Sequence, residues 1–147
     1  MTTRLHELLN ELERTAHATD TGRRMHAKLQ NVVIGDVCRG DADLVAKIRC
    51  RPELAEFFDA AAKTEVPLAG IVNGRFISRR IDRLCINHTA KTLRILDYKT
   101  DVNRDAMHDK YIRQLGEYIQ LLRKIYPDYS IGAYILWTHD WCLEKIA

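Results

Sequence analysis

The residues whose types and spacing could support catalysis are an aspartate and a lysine that flank a tyrosine, Asp97-Tyr98-Lys99. They end a predicted strand, residues 92–99, and because side chains alternate along a strand, Asp97 and Lys99 share one face. The preceding predicted strand carries Asp82, which antiparallel pairing can bring close to Asp97. Two carboxylates that converge in this way form a hard oxygen site suited to Mg²⁺ or Mn²⁺. Taken singly, either aspartate is better explained by a surface ion pair with a nearby arginine.

Helical periodicity dominates the first sixty residues. Leucines at helical spacing predict an amphipathic helix over residues 3–16, and residues 18–22 are expected to break it. A second helix is expected to follow and to carry His26. Asp41 can cap a short helix, and Pro52 suits the first turn of another. The apolar face expected for that last helix is Leu54, Phe57, Phe58 and Ala61.

Short runs of β-branched and apolar residues follow, and Asn73-Gly74 between two of them indicates a hairpin turn. The predicted strands are residues 65–72, 76–86, 92–99 and 130–138. A helix is expected over residues 111–126, ended by Pro127. This order of elements predicts an α/β fold, with a mixed sheet of about four strands flanked by helices and a helical N-terminal part. We expect one domain over residues 1–147, with 1–63 mostly helical and 64–147 forming the sheet and its helix.

The net charge of +3 is concentrated in one stretch of the chain. Residues 70–104 hold eight basic and three acidic side chains, whereas the segments before and after each hold one more acidic than basic side chain. This excess suits a phosphate-bearing partner, although a solvated basic face explains the charge equally well. The basic residues are Arg75, Arg79, Arg80, Arg83, Lys91, Arg94, Lys99 and Arg104.

The remaining bulk properties point to a cytoplasmic location with no membrane partner. The N-terminus lacks the apolar stretch of a signal peptide, and no apolar run approaches the roughly 20 residues of a membrane span. The four cysteines stand far apart without a CxxC pair, so we expect free thiols rather than a zinc or iron–sulfur site.

Four motifs in order resemble those of RecB-family nucleases of the PD-(D/E)XK type. They are Glu65-Val66-Pro67-Leu68, Ile81-Asp82-Arg83-Leu84, Ile95-Leu96-Asp97-Tyr98-Lys99-Thr100, and Tyr111 with Gln114-Leu115 and Tyr118. Gly22-Arg23-Arg24-Met25-His26 resembles the family's first motif, and Ile135-Leu136-Trp137-Thr138 its closing strand. The resemblance spans roughly residues 22–147 and is closest to the C-terminal nuclease domain of bacterial AddA helicase-nucleases. It implies a restriction-endonuclease-like core.

The resemblance implies a role for each matching residue of the candidate site. His26, Asp82 and Asp97 would be ligands of Mg²⁺ or Mn²⁺, joined by the backbone carbonyl of Tyr98. Lys99 would be the catalytic lysine, which positions the attacking water or neutralises charge on the phosphate. Standing alone, His26 would more often be an ordinary surface or core histidine.

Further roles follow from the outer motifs. Glu65 would hold a metal-bound water or orient Lys99, or it is simply a strand-end carboxylate. Gln114 and Tyr118 lie four residues apart on one face of a helix and would contact DNA, as would Tyr111. Alternatively, Tyr118 packs in the core and Gln114 is solvated. Arg83 is assigned to the protein scaffold or to DNA, because it points away from Asp82 on the strand.

The implied activity is metal-dependent hydrolysis of DNA in recombination or double-strand-break repair. The sequence departs from the family at Arg79, where AddA-like chains usually have glycine. It also lacks a GxxxxGK[ST] phosphate loop, so the chain would be a free-standing nuclease, a fragment, or a subunit that acts with a helicase or recombination subunit in trans. The alternatives left open are a DNA-binding or subunit module with little activity of its own, and a nuclease acting on RNA.

Overall fold

The computed structural model describes residues 2–147, with the side chains of residues 4–10 and 20–147. Over these residues a helical first part is followed by a second part that forms the sheet. The helices are α1 (Thr2–Gln30), α2 (Ala42–Arg49), α3 (Pro52–Ala55), which runs into a 3₁₀ turn (Glu56–Phe58), and α4 (Arg104–Ile125). The strands are β1 (Lys63–Val72), β2 (Arg75–Asn87), β3 (Thr92–Lys99), β4 (Ser130–Trp137) and β5 (Cys142–Lys145).

The strands form one mixed sheet in the order β1-β2-β3-β4-β5. Neighbours pair antiparallel except β3 and β4, which are parallel and are connected by α4. The expected α/β fold with a mixed sheet flanked by helices is therefore confirmed at this level. The sheet has five strands instead of about four, because the short β5 follows a tight turn at Trp141, whose φ is +57°.

Two hydrophobic clusters lie on the two faces of the sheet. On one face α4 packs Leu115 and Tyr118 against Ile81 and Ile95. On the other face the end of α1, together with α2, α3 and the 3₁₀ turn, packs against Leu96, Tyr98 and Leu136. Each fully buried side chain of this size contributes roughly 1.5–3 kcal/mol. Because β3 is covered on both sides, its alternation directs Asp97 and Lys99 towards α4 and Tyr98 towards α1.

The N-terminal part differs from the expectation. Residues 2–30 form one continuous helix, so the predicted break over residues 18–22 is wrong. That stretch contains no proline, and a single glycine costs a helix only about 1 kcal/mol. The exposed Leu5, Leu8 and Leu9 also show that this end of the helix does not pack its apolar stripe on the sheet. No helix in the part of the chain that the structure describes is both long and apolar enough to cross a membrane.

Local signals were more reliable where one residue type decides a boundary. Asp41 caps α2 as predicted, with its carboxylate accepting hydrogen bonds from the amides of residues 43 and 44 at 3.1 Å. Pro52 stands in the first turn of α3, and Leu54, Phe57 and Phe58 are buried, whereas Ala61 is exposed. Helix α4 begins at Arg104, well before the predicted residue 111. The sequence did not indicate its first turns, because most of their side chains are polar and exposed and show little apolar periodicity.

Candidate active site

The register of β2 and β3 brings Asp82 and Asp97 together. Arg83 pairs with Leu96 across the two strands, and one further step along each strand leads to these aspartates. Oδ2 of Asp82 accepts a 2.8 Å hydrogen bond from the amide of Tyr98, the residue after Asp97, so the two carboxyl groups are neighbours on paired strands. The structure therefore brings together the two carboxyl groups that the proposed metal site requires.

The backbone is irregular where Asp82 projects from the sheet. Ile81 and Leu84 pack in the same cluster under α4, although residues three apart on a regular strand face opposite sides. Opposite Asp82 on β1, Glu65 has a φ of +50°, a left-handed conformation that strains a residue with a side chain. The irregularity turns Asp82 and Glu65 towards α1, where both line one groove with His26.

His26 approaches this groove from α1. Its Nδ1 donates a 2.8 Å hydrogen bond to the carbonyl of Gly22, and its Nε2 lies 3.4 Å from Oδ2 of Asp82. A Cβ on Gly22 would lie only 3.1 Å from Oγ1 of Thr100, so the glycine allows α1 to approach the end of β3 closely. The bond to Gly22 fixes the tautomer and leaves Nε2 facing the carboxylates, the arrangement found in histidines that ligate metals.

Lys99 is held on the α4 side of the sheet. Its ammonium lies 2.9 Å from Oδ2 of Asp97, donates a 3.1 Å hydrogen bond to Oε1 of Gln114, and stands 4.1 Å from the centroid of the Tyr111 ring. Gln114 in turn donates to the hydroxyl of Tyr118 at 2.9 Å. Gln114 and the Tyr111 ring thus hold the ammonium beside Asp97.

The positions of Tyr111 and Tyr118 bear on their expected contact with DNA. Both rings are buried in the cluster under α4. The Tyr111 hydroxyl donates to Asp101 at 2.5 Å and that of Tyr118 to the carbonyl of Arg80 at 3.1 Å. Tyr118 therefore packs in the core, which was the alternative stated for it, and Tyr111 supports Lys99. Gln114 is half-buried against Lys99 rather than solvated.

The protonation states follow from this crowding of charges. The hydrogen bond to Asp82 raises the pKa of His26 to about 9 against the opposing effect of burial, and the nearby carboxylates add to the increase. Burial, followed by the charge of Asp82, raises the pKa of Asp97 to about 7, although Lys99 opposes both. Burial would also raise the pKa of Asp82, but the hydrogen bonds with His26 and Asp97 outweigh it and lower that pKa. At neutral pH His26 is thus a cation paired with Asp82.

Whether the site can hold a divalent cation depends on how many ligands converge there and on their chemistry. Among the described residues, no three His, Cys, Asp or Glu side chains are close enough together to hold an ion as they stand. The chemistry of the groups does fit, since two carboxylates and an imidazole suit Mg²⁺ or Mn²⁺. In addition, Oδ2 of Asp97 is buried, and within the described part of the chain the nearby ammonium does not meet it along a hydrogen-bonding direction. A buried carboxylate oxygen without a donor is costly unless a further positive group joins it.

Arg83 is the residue of this region whose importance the sequence did not reveal. Only 1% of its surface is exposed, and its guanidinium stacks 4.2 Å above the centroid of the Phe58 ring. It belongs to the scaffold, the first of the two roles stated for it. Strand alternation was the one signal in the sequence, and it pointed Arg83 away from Asp82, whereas the irregular backbone leaves both side chains on the α1 side of the sheet.

Comparison with known proteins assigns no family to this chain. No protein-family model matches it, and neither does any curated protein.

Proposed function

We propose that this chain is a metal-dependent deoxyribonuclease with a restriction-endonuclease-like, PD-(D/E)XK core. One observation carries the proposal: two neighbouring carboxyl groups, Asp82 and Asp97, are flanked by an imidazole on one side and an ammonium on the other. An acidic pair, a nitrogen ligand and a fixed cation are the groups that phosphodiester hydrolysis with a divalent ion requires. The order of the motifs along the chain, given above, supports the same conclusion.

His26, Asp82 and Asp97 would hold the ion, with the carbonyl of Tyr98 as the resemblance implies. When bound, Mg²⁺ or Mn²⁺ supplies a Lewis acid for the phosphate and makes a water molecule more acidic. The protein's own contribution is to place the two carboxyl groups and the imidazole side by side, and ligation requires the carboxylates to be ionised and the imidazole to be neutral. The half-buried position of the site also strengthens its electrostatic effects.

Lys99 would act on the substrate phosphate. Its ammonium is positioned by Gln114 and Tyr111, so it needs little reorganisation to neutralise the charge that builds up as water attacks phosphorus. Attack with departure of the 3′ oxygen leaves a 5′-phosphate and a 3′-hydroxyl, the products that the resemblance implies. Glu65, in the same groove as His26 and Asp82, would hold a water molecule.

The activity is tested on linear DNA with Mg²⁺ or Mn²⁺. We expect degradation that EDTA abolishes and that Asp97→Ala and Lys99→Ala each reduce by at least two orders of magnitude. Asp128→Ala and Lys145→Ala, at exposed positions of the same residue types, are the matched controls. Full activity of either site variant would refute the proposal. The same assay on RNA tests the alternative substrate.

A second candidate function is a partner-dependent or inactive DNA-binding module that keeps this fold. It is favoured by the present contact of Lys99 with Asp97 and by the lack of three converged ligands among the described residues. Calorimetry with Mn²⁺ separates the two candidates. Binding that is lost in Asp82→Ala supports the nuclease, whereas a protein that binds no Mn²⁺ supports the module.

The process that we propose is DNA recombination or double-strand-break repair. The support is the resemblance to AddA-type nucleases, in which such a domain works beside a helicase. Because these 147 residues contain no phosphate loop, the motor would lie outside them.

A further inference from the structure

The basic residues of the middle segment do not form one surface. Arg83 is buried, Arg94 lies 3.2 Å from Glu56, and Arg104 makes a two-pronged contact with Asp140 at 2.8–2.9 Å. These three have partners within the protein. The number of basic side chains available to bind a phosphate is therefore smaller than the charge excess along the sequence indicates.

Part of the excess does gather in one place. A groove of about 680 Å³ lies between the β1–β2 hairpin and α4. Five basic side chains and one carboxylate line this groove. They are Arg75 and Arg79 from β2, Lys99 from the end of β3, Lys110 and Arg113 from α4, and the carboxylate of Glu117. The two α4 cations lie outside the segment whose charge stood out in the sequence.

The groove leads from the surface to the candidate site. The side chain of Arg75 is 74% exposed, that of Arg79 46% and that of Lys99 15%, so exposure falls steadily towards the site lysine. Arg75 and Arg79 are four residues apart on one strand, which separates their Cα atoms by about 13 Å. One strand of a duplex has a phosphate about every 3.4 Å of helix axis, so the groove spans several phosphates.

Glu117 is the acidic residue of this groove, and it holds its arginines loosely. Its carboxylate oxygens lie 3.8 Å from the guanidinium groups of Arg75 and Arg79, which is too far for hydrogen bonds. Its Oε2 is buried and, among the described residues, has no hydrogen-bond donor. The arginine donors that face the groove thus remain available to another anion.

We propose that this groove binds the sugar–phosphate backbone of the DNA strand that leads to Lys99. Arg75 and Arg79 contact different phosphates of the strand from the hairpin side, and Lys110 and Arg113 contact it from α4. Glu117 weakens binding by its negative charge. The inference rests on the proposed nuclease function, since it assigns the path of that enzyme's substrate. The contacts are with phosphates and are independent of base sequence.

The test is DNA binding without catalysis. Fluorescence anisotropy with a labelled oligothymidylate in EDTA measures Kd and its salt dependence for the full chain. We expect Arg75→Glu/Arg79→Glu to raise Kd on the order of 10-fold and to flatten the plot of log K against log salt by about 0.7 for each phosphate that the variant no longer neutralises. Glu117→Gln should lower Kd roughly 2- to 5-fold, the effect of removing one like charge.

The matched control is Arg39→Glu/Arg49→Glu, which makes the same change in net charge at exposed positions outside the groove. If the control weakens binding as much as the groove variant, or if Glu117→Gln weakens it, the assignment of the groove is overturned. Because EDTA removes hydrolysis from the measurement, this result is separate from the nuclease assay. DNA binding through the groove in a protein without hydrolytic activity would refute the nuclease and leave the groove assigned.

Discussion

The Nε of Arg83 donates a 2.9 Å hydrogen bond to the hydroxyl of Tyr98 in the layer between the sheet and α1. Its Nη2 donates to backbone carbonyls at and just beyond the C-terminal end of α1, those of Leu29, Gln30 and Val32, at 3.0–3.3 Å, and its Nη1 donates to the carbonyl of Phe57 at 3.3 Å. Among the described residues no carboxylate forms an ion pair with it. The negative end of the helix dipole and the otherwise unsatisfied carbonyls take that place. Arg83 thus joins the helix that carries His26 to the strand that carries Asp97.

Replacing Arg83 should destabilise the fold. Arg83→Met leaves several buried carbonyls and the Tyr98 hydroxyl without donors, and we expect a loss on the order of 3–5 kcal/mol. Arg83→Lys keeps a charge but lacks the planar fork and should lose a large part of that stability. Urea unfolding measures both. Arg39→Met, at an exposed position, should stay within about 0.5 kcal/mol of the wild type. Equal midpoints for the two methionine variants would contradict this role.

Gly22→Ala should impair ion binding without unfolding the protein. The added methyl would lie 3.1 Å from Oγ1 of Thr100, so either α1 or the end of β3 must shift by a few tenths of an ångström. Alanine also favours the helix by about 1 kcal/mol, which offsets the strain. Calorimetry should show weaker Mn²⁺ binding beside a nearly unchanged unfolding midpoint.

The comparison is Gly116→Ala on α4, where a new Cβ meets nothing within 4 Å. It should raise stability by up to about 1 kcal/mol and leave Mn²⁺ binding unaltered. Restoration of binding by Thr100→Ala in the Gly22→Ala background would identify the methyl contact as the cause. Unchanged Mn²⁺ affinity in Gly22→Ala itself would show that this close approach does not position His26.

Tyr111 should affect turnover rather than DNA binding. Its ring face supports the Lys99 ammonium, and such contacts are worth roughly 0.5–2 kcal/mol. Tyr111→Leu should therefore lower kcat by about 2- to 30-fold with little change in KM. Tyr111→Phe keeps the ring and removes only the hydrogen bond to Asp101, so its effect should be smaller. A raised KM with normal kcat would instead support the direct DNA contact that the resemblance implies.

The sequence sufficed for the parts of the site that depend on short-range order. The alternation along β3 placed Asp97 and Lys99 on one face, and the turn at Asn73-Gly74 made β1 and β2 a hairpin. It failed where distant contacts decide the outcome. The close approach of Gly22 to Thr100 and the hydrogen bonds from Arg83 to carbonyls near the end of α1 each join residues more than fifty positions apart. No local pattern encodes either contact.

The same limit explains the basic residues. Charge along a segment records which side chains are available, but the fold decides which of them face one groove. Arg94 and Arg104 pair with acidic side chains, whereas Lys110 and Arg113 of α4 line the groove. A charge count along the chain cannot foresee such an exchange, because the partners come from other elements.

Ion binding should strengthen as the pH rises. The pKa of His26 in the folded protein, about 9, lies above its ordinary value, so its ion pair with Asp82 stabilises the ion-free protein at neutral pH and is lost as the pH rises through 9. A bound ion needs the neutral imidazole and the ionised Asp97, whose pKa is about 7. Binding must therefore displace protons from both groups below pH 7, and from His26 alone between pH 7 and 9.

Calorimetry with Mn²⁺ in buffers of different ionisation enthalpy counts these protons. The logarithm of the affinity should rise by about two per pH unit below pH 7 and by about one between pH 7 and 9. His26→Asn removes the titrating imidazole and should bind more weakly, with a flat profile above pH 7. An affinity independent of pH from 7 to 9 in the wild type would mean that His26 releases no proton when the ion binds, and would contradict the exchange of its ion pair with Asp82 for ligation.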